Sequence, residues 1–141
     1  MTLTGSKSLQ AFDTLCEVLD RNHIIYRSGR DRLCAICNIS VGDMPTEFIF
    51  LIEPSKMLVT LYAPLPGVIT PDRIKDTAVM LCVVNYSLPD GQFTLDAMRG
   101  SICFRLTSAF YNSEISASVF EYMLSVAADS IEEYRGKFLL S

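Results

Sequence analysis

The chain contains a single histidine. General acid–base catalysis leans on imidazole, and a lone ring needs an oriented partner to act as a base. His23 follows a helical stretch, where capping or plain exposure explains it without a reaction. Clustered positive charge is also missing. Twelve lysines and arginines stand against 16 acids, for a net charge of −4 and an isoelectric point near 4.9. Nucleic-acid binding requires cations gathered along the phosphate backbone. The nearest approach, Arg27-Ser28-Gly29-Arg30-Asp31-Arg32, reads as a solvated turn, so no nucleic-acid partner is expected. No apolar run approaches the roughly 20 residues of a membrane span. The opening Met1-Thr2-Leu3-Thr4-Gly5-Ser6-Lys7 lacks the apolar core of a signal peptide. Together these absences predict a cytoplasmic protein without a membrane partner.

Reactive motifs are equally sparse. The five cysteines, an odd number, fit thiols in a reducing compartment. Cys34-Ala35-Ile36-Cys37 is the one motif with a chemical reading, and both of its uses require converging sulfurs. It lies in a strand pattern, where residues three apart point to opposite faces. Zinc would need a second pair of ligands, and a redox pair would need a following helix N-terminus; neither is present. Two buried small hydrophobes are the better reading. Asp90 is explained by turn chemistry, and Glu132 and Glu133 by a solvated helix face. No phosphate loop, serine elbow or acidic metal loop is found. The expectation is therefore no catalytic residue, no cofactor and no metal.

Hydrophobic residues, by contrast, make up 50% of the 141. One domain spanning 1–141 is expected, burying about 70% of its unfolded surface. The apolar content predicts either a dense core or surface reserved for a partner or a second subunit.

Leu9, Phe12, Leu15, Cys16 and Leu19 recur at helical spacing, predicting a first helix over 8–22 capped by Ser6 or Ser8. Ile24–Arg27 is a short extended piece ending at Gly29. Leu33–Ser40, Glu47–Glu53 and Met57–Tyr62 read as three strands of an antiparallel meander. In the second, Phe48, Phe50 and Ile52 share one face, while Ile49 and Leu51 make the other apolar too. Pro64-Leu65-Pro66-Gly67 stops the sheet, and Thr70-Pro71-Asp72 starts a helix running towards Asn85. Its second half, Ala78–Val84, is apolar all round, which predicts burial on more than one side. A last helix is expected from a Ser113 cap, with a stripe of Ile115, Val119, Phe120, Met123, Leu124, Ala127 and Ile131 ending at Gly136. Phe138-Leu139-Leu140 forms an apolar tail.

The most legible stretch runs from Asn85 to Leu106. Pro89-Asp90-Gly91 makes a turn, and Phe93 and Leu95 alternate with polar neighbours. Gly100 closes a second turn, and Ile102, Phe104 and Leu106 alternate in the next strand. The whole chain thus reads as α+β, in the order α-β-β-β-α-β-β-α, with helices laid on an antiparallel sheet.

Asn85, Gly91, Phe93-Thr94-Leu95-Asp96, Gly100 and Ile102-Cys103-Phe104-Arg105, followed by a striped helix with Tyr134 near its end, resemble the pattern of the YbjN family. These bacterial proteins are labelled sensory-transduction regulators. The Ala97-Met98-Arg99-Gly100 turn departs from the family's usual acidic turn, and the first half matches in element order only. The family fold is similar to that of class I type III secretion chaperones, which are small, acidic and usually dimeric. The resemblance implies a non-enzymatic, protein-binding role with no catalytic residues to carry over.

The leading expectation is a homodimer that binds an as yet unidentified partner polypeptide. Related chaperones use the middle helix for dimer contacts, which points to Met80, Val83 and Val84; the second apolar face of the 47–53 strand adds Ile49 and Leu51. The alternative is a small-ligand sensor with a pocket between sheet and helices.

Overall fold

Strict alternation in the strands and 3.6-residue spacing in the helices divide the chain into nine regular elements, seen in a computed structural model that describes residues 3–111 and 113–138. They are α1 (Leu3–Arg21), β1 (Tyr26–Gly29), β2 (Cys34–Val41), β3 (Met44–Glu53), β4 (Leu58–Pro64), α2 (Ile74–Ser87), β5 (Gln92–Asp96), β6 (Ser101–Ala109) and α3 (Ala117–Tyr134). The six strands form one antiparallel sheet in the order β1-β2-β3-β4-β6-β5. The extended piece before Gly29 is thus a strand of its own, giving four strands rather than three ahead of α2. The expected α+β architecture is otherwise the one observed.

Alternation puts Phe48, Phe50, Leu61, Ile102 and Phe104 on one face of the sheet, each fully buried. α1 and α3 cover this face. α1 contributes Phe12, Leu15, Val18 and Leu19, and α3 contributes Phe120, Met123, Ala127 and Ile131. Phe120 meets Phe50 edge to face at 6.1 Å. The two helices are tied at their rims by an Arg21–Glu121 ion pair of 2.6 Å. The β5–β6 hairpin carries a second aromatic knot: Phe93 packs edge to face on Phe104 at 5.2 Å and on Phe138 at 4.8 Å. Phe138 is therefore a core residue rather than a loose tail; Leu139 and Leu140 lie outside the described residues.

Helix ends differ from expectation in physically instructive ways. α1 already runs through Ser6 and Ser8, so neither caps it, and Ser8 is buried. At its other end His23 adopts a left-handed φ of 57°. The Ile24 N–H bonds Leu19 O at 2.9 Å and the His23 N–H bonds Asp20 O at 3.1 Å, the two bonds of a Schellman closure. α3 starts at Ala117 rather than Ser113. Glu114 instead approaches Lys7 at 3.6 Å, and the Ser116 hydroxyl pairs with Ser118 at 2.9 Å without capping the backbone. Gly136 is not a left-handed stop, because α3 tightens into a 3-10 turn over Arg135–Lys137.

Gly100 takes a φ of 71°, and its N–H bonds Asp96 O at 2.7 Å. A Cβ there would run into the backbone oxygen of Ile69, whose N–H bonds Gly100 O at 2.7 Å. The turn glycine thus also docks the segment leading into α2.

Candidate functional site

α2 is built by its own start signal. Pro71–Arg73 form a 3-10 turn, the Arg73 N–H bonds Thr70 O at 2.9 Å, and the Thr70 hydroxyl bond to Asp72 holds that carboxyl below its ordinary pKa. The helix stops at Leu88, which precedes Pro89 and is therefore pushed to an extended conformation.

Only one side of α2 is buried within this chain. Thr77, Leu81 and Val84 face the core beside β5. The opposite side is apolar and open: Val79 is 65% exposed, Val83 60% and Tyr86 93%, whereas Val84 is 2% exposed. This chain alone covers one side of α2 and supplies no cover for a second; Val84 is not on the exposed side, because it packs inward. Met80 and Val83 remain on it. Val79, Val83 and Tyr86 recur at i, i+4 and i+7, forming one stripe with Met80 at its edge. Val79, within the apolar Ala78–Val84 run, and Tyr86, just beyond it, join the nominated residues on this surface, and the i, i+4, i+7 spacing is their signal.

The second candidate surface is the face of the sheet opposite α1 and α3. Cross-strand register lines up Ile36, Ile49, Tyr62 and Arg105 in one row, and Cys34, Leu51, Thr60 and Thr107 in the next. Ile49 and Leu51 are half-buried there. They lie on β3, while α2 sits beside β5 at the far side of β4 and β6. At about 4.8 Å per strand spacing, the structure does not bring Ile49 and Leu51 together with Met80 and Val83. The five nominated residues resolve into two separate surfaces and one core position.

Asn85 has a role that its place at a helix end did not disclose. Its side-chain amide donates to Phe93 O at 3.0 Å, and its Oδ1 accepts the Phe93 N–H at 2.8 Å. The side chain thus pairs with the outer edge of β5 as a neighbouring strand would, and occupies backbone groups open to another chain. β1 is the opposite edge of the sheet.

The remaining polar candidates do not converge. Asp90 Oδ1 accepts the Gly91 N–H at 2.9 Å and Oδ2 accepts the Tyr122 hydroxyl at 3.0 Å, a bond that raises the tyrosine pKa. Asp96, at the other end of β5, accepts the N–H groups of Met98 and Arg99 at 3.1 and 3.2 Å. Cys37 is buried on the helix-covered face, where burial, helped by Glu47, pushes its thiol pKa up to about 12. Cys34 lies half-exposed on the other face, so the two sulfurs point apart as strand geometry requires. His23 is exposed at the Schellman turn. Arg30, of the arginine run, is paired with Asp13 at 2.6 Å. Among the described residues no group of three or more histidine, cysteine or acidic side chains is placed to hold a metal, and no helix is long and apolar enough to cross a membrane.

The arrangement leaves an exposed apolar helix stripe and a sheet face on which half-buried Ile36, Ile49, Leu51 and Tyr62 stand beside Arg105 and Thr107, on an α+β scaffold of the YbjN-like, secretion-chaperone-like type. The chain superposes on YbjN from E. coli, described as a candidate transcription regulator, with a TM-score of 0.65 at 13% identity, over 92% of this chain and 94% of that one. A chain of the ExsC–ExsE complex superposes with a TM-score of 0.64 at 16% identity, over 95% and 96%. No family model and no curated protein sequence matches the chain. At these identities the likeness establishes the fold.

Proposed function

We propose that the chain, acting as one domain over residues 1–141, is a non-enzymatic protein-interaction module of the cytoplasm. It dimerises through the outer stripe of α2 and binds a partner polypeptide in a chaperone-like or regulatory role. The observation that carries this reading is the second apolar face of α2. Monomeric proteins seldom leave a contiguous stripe of this kind in water. Across a two-fold axis every residue is used twice, so Val79, Met80, Val83 and Tyr86 would supply eight side chains. Full burial of such groups is worth roughly 1.5–3 kcal/mol each. Starting from partial exposure, the sum is on the order of 10 kcal/mol, comparable with the cost of association. Partner binding is assigned to the helix-free sheet face around Ile49 and Leu51, which a dimer through α2 leaves open. The ExsC–ExsE complex supports the polypeptide-binding part by showing this fold in a heteromeric assembly.

The centre of the region between sheet and helices is filled by Phe48, Phe50, Leu61 and Phe120, each fully buried; a groove of about 310 Å³ at its margin, between Ile39 of β2 and Leu124 and Ala128 of α3, is the place a small ligand would occupy in the alternative reading as a sensor. Light scattering tests the dimer: twice the 15.7 kDa chain mass is expected, falling to the single mass in Val83→Asp. A single-chain mass unaltered by that substitution contradicts it. Affinity capture tests the sheet face. A polypeptide retained by the native chain and lost with Leu51→Asp supports it, and equal retention by both rules that surface out.

A further inference from the structure

We propose that the β5–β6 turn of one chain docks into the groove beside α3 of a second copy, a contact separate from the α2 stripe. The groove, of about 310 Å³, lies where the end of α1 and the strand β2 meet α3. Ile24, Ile39, Leu124 and Ala128 line it, each packed on the core yet only partly buried. Glu121 and Asp129 stand at its rim, both exposed. Glu121 is shared with Arg21 at 2.6 Å. Asp129 has no ion pair among the described residues, so the rim keeps an uncompensated negative charge. An occupant that fits is an apolar knob with a cation beside it.

The chain carries such a knob on its own surface. Met98, in the turn between β5 and β6, is 95% exposed, more than any other large hydrophobic residue described. Its unbranched thioether adapts to irregular apolar gaps. Arg99 follows it, with a side chain 84% exposed that reaches Asp96 only at 4.0 Å. Most of its fork is therefore free for a carboxylate. The pair matches the groove in polarity and in sign: a methionine for the apolar lining and a guanidinium for Asp129. The turn is also held in shape before docking. Asp96 Oδ1 accepts the Met98 and Arg99 N–H groups at 3.1 and 3.2 Å, and Gly100 is tied to Asp96 and to Ile69 by bonds of 2.7 Å. A preorganised knob loses little freedom on binding. Met98 stands in water in its own chain, so the groove it fills belongs to another copy. Tip and groove are different patches, which makes the contact heterologous: each chain lends its tip to one copy and its groove to another. A contact this small is weak and comes into play at high concentration. It shares no residue with the α2 stripe and does not depend on dimerisation there.

The test follows the Met98 methyl of dilute, isotope-labelled full chain by NMR as unlabelled full chain is added at low salt. A saturable shift is expected, with isotope-filtered NOEs from that methyl to Ile39 and Leu124 of the added copy. A contact through α2 would be read at Val79 and Tyr86 instead, so the two are told apart. Read from the Leu124 methyls of a labelled chain, added Met98→Ser should bind roughly tenfold more weakly, as loss of a buried apolar side chain gives. Added Asp129→Arg should bind the labelled native turn roughly fivefold more weakly, the upper range for an exposed ion pair. Labelled Arg99→Asp should bind native chain weakly and regain affinity for added Asp129→Arg, which restores the pair with its charges reversed. Met98, Arg99 and Asp129 are all exposed, so these substitutions leave the fold intact. No shift of Met98 up to the solubility limit, NOEs from Met98 to residues outside the groove, or no recovery of affinity in the reversed pair would overturn the proposal.

Discussion

Asn85 takes up both backbone groups of Phe93 on the β5 edge with two hydrogen bonds. Asn85→Ala removes both partners and leaves an amide N–H and a carbonyl unmatched, so unfolding by urea should show a loss of about 2 kcal/mol. Cys37 makes a second prediction, in pH. Its native pKa stands at about 12, against an ordinary 9.0. The unfolded thiol therefore releases its proton first. The contribution is fully present below pH 9.0 and is lost as pH climbs through about 12. Tyr26, raised from 10.0 to about 12 by burial and by its hydrogen bond to Asp20, adds to the same alkaline loss. Urea unfolding across this window should show falling stability, with a shallower slope in Cys37→Ala; an unchanged slope would mean that the thiol is not the titrating group. Asn85 and Cys37 differ in how far the sequence disclosed them. Asn85 acts on a backbone eight positions away; burial of Cys37 was expected from its strand, but not the size of its pKa shift, and Cys34, expected to be buried with it, is half-exposed on the other face. His23 was legible only as a helix-end residue, because the left-handed closure it makes is one where glycine is the usual signal.

The β5–β6 hairpin shows what elements do disclose. Its turns and alternation were readable because each obeys a local rule: glycine at positive φ, and period two along a half-covered sheet. What the hairpin meets was not readable. Phe138 reaches it from beyond α3 and packs on Phe93 at 4.8 Å. Phe138→Ala should cost about 3–5 kcal/mol, seen as a lower urea midpoint; an effect within experimental error would show that the ring is not part of the core. α2 illustrates the converse. Apolar residues all round a helix show that every side seeks cover, but not whether the cover comes from the same chain. Here the chain covers Leu81 and Val84 and leaves Val79, Val83 and Tyr86 in water. Periodicity found the helix, and tertiary packing decided which residues of the nominated set belong to the core.

At the scale of the whole molecule, α1 and α3 cover one sheet face, Asn85 occupies the Phe93 backbone on the β5 edge, and the α2 stripe and the opposite sheet face remain available. Val79, Met80, Val83 and Tyr86 are exposed together on α2, and the proposed function holds that this stripe meets the stripe of a second copy. The most direct measurement of that claim is an isotope-filtered NOE experiment on an equal mixture of labelled and unlabelled chains. Methyl contacts of Val79 and Val83 with the Tyr86 ring of another copy are predicted, because a two-fold α2 interface places each stripe against itself. A mixed sample at high concentration with no intermolecular contact at these residues, and with their methyls open to solvent, would contradict the account.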